Sequence, residues 1–491
     1  MPVKSGWAFA SLALAAGAAY APLGCSSSSS APAPTYLDRA TMLDPTTCQS
    51  CHVDHYAQWA ASMHAYASED PIFQAMNARG QRETQGQLGD FCVKCHAPVA
   101  LAEGATTDGL NLATVPKSLH GVTCFFCHTI DAVTGSHNAA VSLSGDLVMR
   151  GEYDDPVQNS AHAAAYDELH DRSRAASAGL CGACHDIDAP PGAHIERTFA
   201  EWQSSVYAQP EGDTCGQCHM PKSTTTGPIA QVPGLALPSR YTFGHEMPGV
   251  DVALPTDLAS ADTSVQTFLG TTLQAALCVT QLGAVRVIVD NVAAGHFWPS
   301  GATQDRRAWA EVIASKGGTV FYQSGVVPTG TPVTAVKNDP DLWLLRDCMF
   351  DATGKQVDMF WQAASVESNE LPAPVTFNPT DPNYYKTHIV QSFPRALDAT
   401  LTQMPDRVTL RIRMQPVGLD VLDDLVSTGD LDAGIASAMP TFDVTPLVTW
   451  TPEAATLTYQ EDGQPVACVS PSNLNVAADK TPASNHMSCS P

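Results

Sequence analysis

The sequence predicts an α+β protein: a mainly helical first part ending near residue 255, then an antiparallel β-sandwich from residue 260. Three observations carry that reading. The pattern Cys-x-x-Cys-His occurs five times between residues 48 and 219 and nowhere else. Between those copies apolar residues fall at helical spacing, as in Tyr56, Trp59, Met63 and Ala67. Past residue 260 they alternate with polar ones, as in Val285, Val287 and Val289, and in Val408, Leu410, Ile412 and Met414.

Residues 1–25 read as an export signal. Lys4 precedes an apolar run from Trp7 to Ala21 that is too short and too Ala-rich for a membrane span. Pro22-Leu23-Gly24-Cys25 with five following serines resembles the bacterial lipobox, which implies lipidation of Cys25; Pro22 departs from it, since the pattern favours Leu there. Residues 26–44 are a Ser/Ala/Pro tether, too polar to fold alone. No later segment is apolar enough to span a bilayer. The net charge of −25 excludes nucleic acid as a natural partner and favours a basic one.

The five copies are Cys48-x-x-Cys51-His52, Cys92-x-x-Cys95-His96, Cys124-x-x-Cys127-His128, Cys181-x-x-Cys184-His185 and Cys215-x-x-Cys218-His219. This spacing reads as c-type haem attachment. Two thiols take the vinyl groups of one porphyrin, and the adjacent imidazole becomes the proximal iron ligand. Five motifs predict five c-type haems. Such attachment occurs outside the cytoplasm, in keeping with an export signal. With motifs only 32 to 57 residues apart, the porphyrins supply much of the apolar mass of residues 45–255.

Helices are expected over residues 54–67, from Pro71 to a stop at Gly80, over 161–178, and from Thr198 through Tyr207, where Thr198 and Glu201 read as a capping box. Residues 260–491 form the second domain. Lys316-Gly317-Gly318 and Asp462-Gly463 read as hairpin turns within the sandwich at 260–470. No nucleotide loop, serine nucleophile elbow or zinc motif occurs there. Its four cysteines, Cys278, Cys348, Cys468 and Cys489, predict two disulfides, with Cys468–Cys489 the local pairing and Cys278–Cys348 the remainder.

The second axial ligand separates a wire from an enzyme. Two imidazoles saturate an iron, whereas an empty sixth position binds and activates small molecules. Local placement singles out His64, His120, His162, His170, His245 and His296 as distal candidates, with His162 and His170 as alternatives for one site. His55 lies one turn from His52 and lines the same haem. His137 and His194 read as solvated, and His388 and His486 as structural or exposed. Met63, Met220 and Met247 are the rival ligand type, and Met220 is too close to His219 to serve its iron.

Three stretches carry a family resemblance. They are Trp59…Ser62-Met63-His64-Ala65; Cys181-Gly-Ala-Cys184-His185-Asp186 with Thr198…Glu201-Trp202-Gln203-Ser204 and Cys215-Gly-Gln-Cys218-His219-Met220-Pro221; and Ala294-Gly295-His296…Pro299-Ser300-Gly301. Over residues 45–315 they resemble the multihaem cytochrome c group that includes the tetrahaem partner of hydroxylamine oxidoreductase. The resemblance implies bis-histidine haems in close pairs and distal roles for His64, His245 and His296.

The expectation is a pentahaem electron carrier rather than a catalyst. It relays electrons between a redox donor and acceptor as a periplasmic, outer-membrane or cell-surface lipoprotein. One alternative is a multihaem reductase or oxidase of a small nitrogen or sulfur compound at one open haem. Pentahaem nitrite reductases commonly place Lys where the catalytic haem's proximal His would be, whereas all five motifs here end in His. A second alternative is self-assembly into an extracellular haem filament.

Overall fold

A computed structural model describes residues 36–254, 259–336, 338–396, 399–461, 463–471, 474–476 and 481–483. The expectations for the export signal, Cys25, Asp462, His486 and Cys489 lie outside them.

Each motif starts on or beside a short helix, because a turn of helix is what lets one porphyrin meet both thiols and the following imidazole. Thr123 caps Cys124–Thr129 by accepting from the Phe126 N–H. Thr214 and Gln217 form a full capping box on Cys215–His219. The other motifs lie against Thr46–Gln49, Val93–His96 and the end of Ala175–Gly182.

The helices between motifs are shorter than the periodicity predicts, and each difference has a local cause. Residues 54–67 split into Val53–Ala60 and Met63–Tyr66. Ser62 breaks the run by donating to the Trp59 carbonyl at 2.7 Å and capping the second piece at the Ala65 N–H. The helix from Pro71 does not stop at Gly80 but continues to Glu83. Gly80 instead gives room to Trp361 of the second half, whose ring a Cβ would approach to 3.1 Å. Residues 161–178 contain no long helix. Ala163–Tyr166 is a strand paired in parallel with Val148–Gly151, and helix resumes only at Ala175–Gly182. Asn159 starts that strand by accepting from the Ala161 and His162 N–H groups.

The second half holds two six-stranded sheets. One orders Thr319–Ser324, Arg307–Lys316, Arg407–Gln415 and Phe442–Asp443, with Leu344–Leu345 and Val448–Trp450 paired alongside. The other orders Leu457–Glu461, Gln464–Val469, Leu273–Thr280, Val285–Asn291, His388–Phe393 and Thr481–Pro482. The last pair is parallel, so the second sheet is mixed where an antiparallel one was expected. Leu277, Val285, Val287 and Val289 from one sheet and Val312, Leu410 and Ile412 from the other share one fully buried core. The alternation in the sequence is this inward face. Gly317 and Gly318 both have positive φ, at 57° and 79°, as a two-residue turn between Arg307–Lys316 and Thr319–Ser324 requires.

The disulfide expectation is corrected. Cys278 pairs with Cys468, not Cys348, because Gln464–Val469 lies antiparallel on Leu273–Thr280 with these two residues opposite. Cys348 is also disulfide-bonded. Among the described residues no helix is long and apolar enough to cross a membrane.

The halves are joined by charge and by ring packing. Arg79 reaches Asp424 at 2.5 Å, Arg82 grips both oxygens of Asp430 at 2.6 and 2.7 Å, and the Trp361 indole donates to Glu83 at 2.9 Å.

Candidate functional site

The ten motif cysteines are all free thiols, as porphyrin attachment requires. Four of the five motif imidazoles direct Nδ1 at a backbone carbonyl. His52 faces Ile229 O at 3.0 Å, His96 faces Ala67 O at 3.1 Å, His128 faces Arg150 O at 2.6 Å and His219 faces Pro248 O at 2.7 Å. That contact makes Nδ1 the protonated nitrogen and turns a bare Nε2 outward, the tautomer a metal needs.

Two imidazoles that shared one haem iron would stand with ring centroids about 6 Å apart, given metal–nitrogen bonds of roughly 2 Å. His52 and His162 stand 6.3 Å apart with planes 27° from parallel. His128 and His245 stand 6.4 Å apart at 22°, and His64 and His185 stand 6.1 Å apart at 90°. His296 is half-buried and near enough to His219 and His185 for their charges to act on it. His162, His245 and His296 each direct Nδ1 at a nearby carbonyl, of Ala163, Phe243 and Phe297. These residues fit haem. His52, His128, His185 and His219 would each hold iron with a second imidazole, and the group would supply a one-electron redox centre.

Two candidates fit less well. His120 uses both nitrogens, Nδ1 with Glu69 and Nε2 with Val115 O, each at 3.1 Å. His170 stacks 5.9 Å from His128 but commits Nε2 to Cys127 O at 2.8 Å and Nδ1 to Asp167 at 3.1 Å. His162 faces His52 with its Nε2 uncommitted. His55 lies between His52 and His245, at 6.0 and 4.8 Å. His137 and His194 meet on the surface at Asp188, and His388 is buried against Asp290. Two motif histidines meet a phenylalanine ring: Phe73 stacks on His96 at 4.2 Å and 6°, and Phe268 lies against His219 at 5.0 Å and 58°.

Burial is the main force on these imidazoles. It lowers His64 and His128 to about 3 and His185 and His296 to about 4, with neighbouring imidazoles adding to the effect. The shift favours the neutral form that can bind metal.

The loop that carries His296 is held from both halves. The fully buried Asn291 donates to His296 O at 2.8 Å. Ser205 donates to Gly295 O at 3.0 Å and Tyr207 to Val292 O at 2.8 Å. Glu201 accepts from the Phe297 N–H at 3.1 Å and from the Ser300 hydroxyl at 2.6 Å. Glu201 is thus not the partner of Thr198 in a capping box. Asp186 caps that helix instead, accepting from Phe199 and Ala200 N–H. Beyond the loop Arg306 forms a two-pronged pair with Asp251, at 2.9 and 3.1 Å, and donates to Ser300 O at 2.7 Å. Asp251 is near enough to His96 and His185 to act on their charge.

Thiols of different motifs also meet. Cys48 and Cys124, Cys95 and Cys184, and Cys181 and Cys215 lie close enough to act on one another's charge. Cys127 feels Cys184 and Cys181.

Sequence reasoning missed Asp186, Asp251 and the carbonyl partners Ile229, Ala67, Arg150 and Pro248. The carbonyls leave no side-chain signal. Asp186, directly after His185, was legible as a possible cap.

No curated protein matches the chain in sequence. Residues 47–129 match the family model described as cytochrome c554 and c-prime. A penta-heme cytochrome c552 from Thermochromatium tepidum shares the fold at 18% identity, with a TM-score of 0.55 over 82% of this chain and 97% of that one. The first match likens residues 47–129 to that family and the second shows a shared fold; the repeated attachment motif and the facing imidazoles fit c-type haem.

Proposed function

We propose that the chain carries five haems and relays single electrons between redox partners in the cell envelope, tethered to a membrane through a lipid on Cys25. The facing of His52, His128 and His185 by a second, half-buried histidine, with His296 near His219, carries this reading, since a saturated iron exchanges electrons and leaves substrates alone. The residues of this chain hold the spacing, keep water from the imidazoles and set each site's charge.

The thiol contacts suggest an order. Motif 1 neighbours motif 3, motif 3 neighbours motif 4, and motif 4 neighbours both motifs 2 and 5. Electrons would run 1–3–4–5, with motif 2 as a side branch. Mass spectrometry of the mature chain tests the haem number, and a mass lacking any of the five porphyrins rejects it.

One observation favours a second reading, catalysis on a small nitrogen or sulfur compound at motif 2. His96 is stacked on Phe73, and the pair of buried Arg306 with half-exposed Asp251 lies in its vicinity. Electron paramagnetic resonance separates the two readings. A high-spin signal that shifts with nitrite, hydroxylamine or cyanide supports catalysis at that haem; an unresponsive spectrum supports the relay alone.

A further inference from the structure

Behind the His296 loop, where the halves meet, three carboxylates from three separate segments converge. Glu201 comes from the helix Thr198–Ser204, Asp347 from the strand Asp347–Phe350, and Glu370 from the segment after the strand Ser365–Ser368. Glu201 and Asp347 are 6% and 7% exposed. Glu370 feels the charge of both, and Glu201 feels that of Asp347.

Hydroxyls, not cations, line the cluster. Ser300 donates to Glu201 at 2.6 Å and contacts Thr198 Oγ1 at 2.9 Å. Thr303 donates to Glu370 at 2.8 Å and Ser368 to its other oxygen at 3.0 Å. Ser368 stands opposite Asp347 in the strand pair, and Asp347 Oδ1 is buried and has no hydrogen-bond partner. The remaining charge on Glu201 is Asp186, which raises the acid load further. The nearby cations are engaged elsewhere: Arg197 with Asp188, Arg306 with Asp251, and Arg346 within the field of Asp420 and Asp358.

Three like charges without a counter-ion cannot all persist in so dry a place. A proton shared among them removes the conflict and gives the bare Asp347 oxygen a role. Burial pushes Glu201 up to about 7 and Asp347 to about 6, and raises Glu370 well above its ordinary value with Asp347 and Glu201 adding to it. Burial and mutual repulsion therefore both favour a shared proton over three bare carboxylates. Ser368 is exposed and links Glu370 to solvent.

We propose that Glu201, Asp347 and Glu370 form a proton-binding site coupled to the haem held by His219 and His296: one electron arriving from a redox partner brings one proton in from water, and oxidation returns both. The site rests on the reading of His219 and His296 as axial ligands. Glu201 makes the link, because the same carboxylate that shares the proton anchors the backbone next to His296. Added negative charge at the iron favours the protonated carboxyl, so this haem's midpoint potential falls as pH rises.

Spectropotentiometric titration of the fully haem-loaded protein from about pH 5 to pH 9 tests the site. Mass and paramagnetic resonance spectra come first; loss of the low-spin His219–His296 signal overturns the ligand assignment and the proposal with it. With that signal intact, one haem should shift by up to about 59 mV per tenfold change in proton concentration. The slope should at least halve in Glu370→Gln and in Asp347→Asn, neither of which touches the His296 loop. A flat wild-type titration overturns the proton site and leaves the relay standing. So does a slope undiminished in both variants, which would assign the proton to the porphyrin propionates.

Discussion

His64 and His185 face each other at 6.1 Å with perpendicular planes, although His64 precedes the second motif and His185 closes the fourth. The site at motif 4 is therefore assembled from chain on both sides of motifs 2 and 3. Replacing His64 with Ala should convert that one haem to a high-spin form and leave the others unchanged. Paramagnetic resonance reads this directly, and an unaltered low-spin spectrum rejects the pairing.

Gly121 supports the same pairing from behind. Its φ is +67°, and a Cβ there would strike the backbone carbonyls of His64, at 2.5 Å, and Ala65. The adjacent Val122 N–H donates to His64 O at 2.8 Å. Backbone against backbone cannot yield cheaply, so Gly121→Ala should displace His64 and produce the same high-spin signal as His64→Ala. A variant with a wild-type spectrum would show that His64 is not constrained from this side.

His120 makes the opposite prediction. With Nδ1 on Glu69 and Nε2 on Val115 O, it has no nitrogen left for iron. His120→Ala should leave every haem's spin state unchanged and cost about 1–3 kcal/mol of stability, from the buried hydrogen bonds it removes. A new high-spin signal would reinstate it as a ligand.

Asp347 gives the fold a pH dependence whose sign is fixed. Its folded value is raised from 3.8 to about 6, so the folded state holds the proton more tightly than the unfolded chain. That contribution is complete below pH 3.8 and is lost as pH rises through about 6. Asp347→Asn lacks the loss, so its unfolding free energy should gain on wild type between those values, by about 3 kcal/mol. Parallel curves for the two proteins would reject the buried, raised carboxyl.

The Cys278–Cys468 bond closes a separation of 190 residues. Cys468→Ser should destabilise the sheets by about 2–5 kcal/mol while leaving haem spectra intact. A spectral change on that substitution would mean that the sheets control haem ligation from a distance.

The attachment motifs were legible because covalent chemistry demands fixed residue types at fixed spacing. The buried faces around Val285–Val289 and Val408–Met414 were legible for a similar reason, since strand geometry imposes a period of two. Residues 161–178 misled because an Ala-rich run free of Gly and Pro scores as helix. Its true state depends on Asn159 and on a partner strand at Val148–Gly151, both outside the run. The disulfide misled similarly: nearness along the chain favoured Cys489, but the register of two strands set Cys278 opposite Cys468.

The carbonyl partners of the motif imidazoles bear on how the molecule is made. His52 stands in the first motif, yet its Nδ1 contact comes from Ile229, 177 residues further on, and its facing ring from His162. A haem held by the first motif would thus be fully seated only after chain beyond the fifth motif has packed against it.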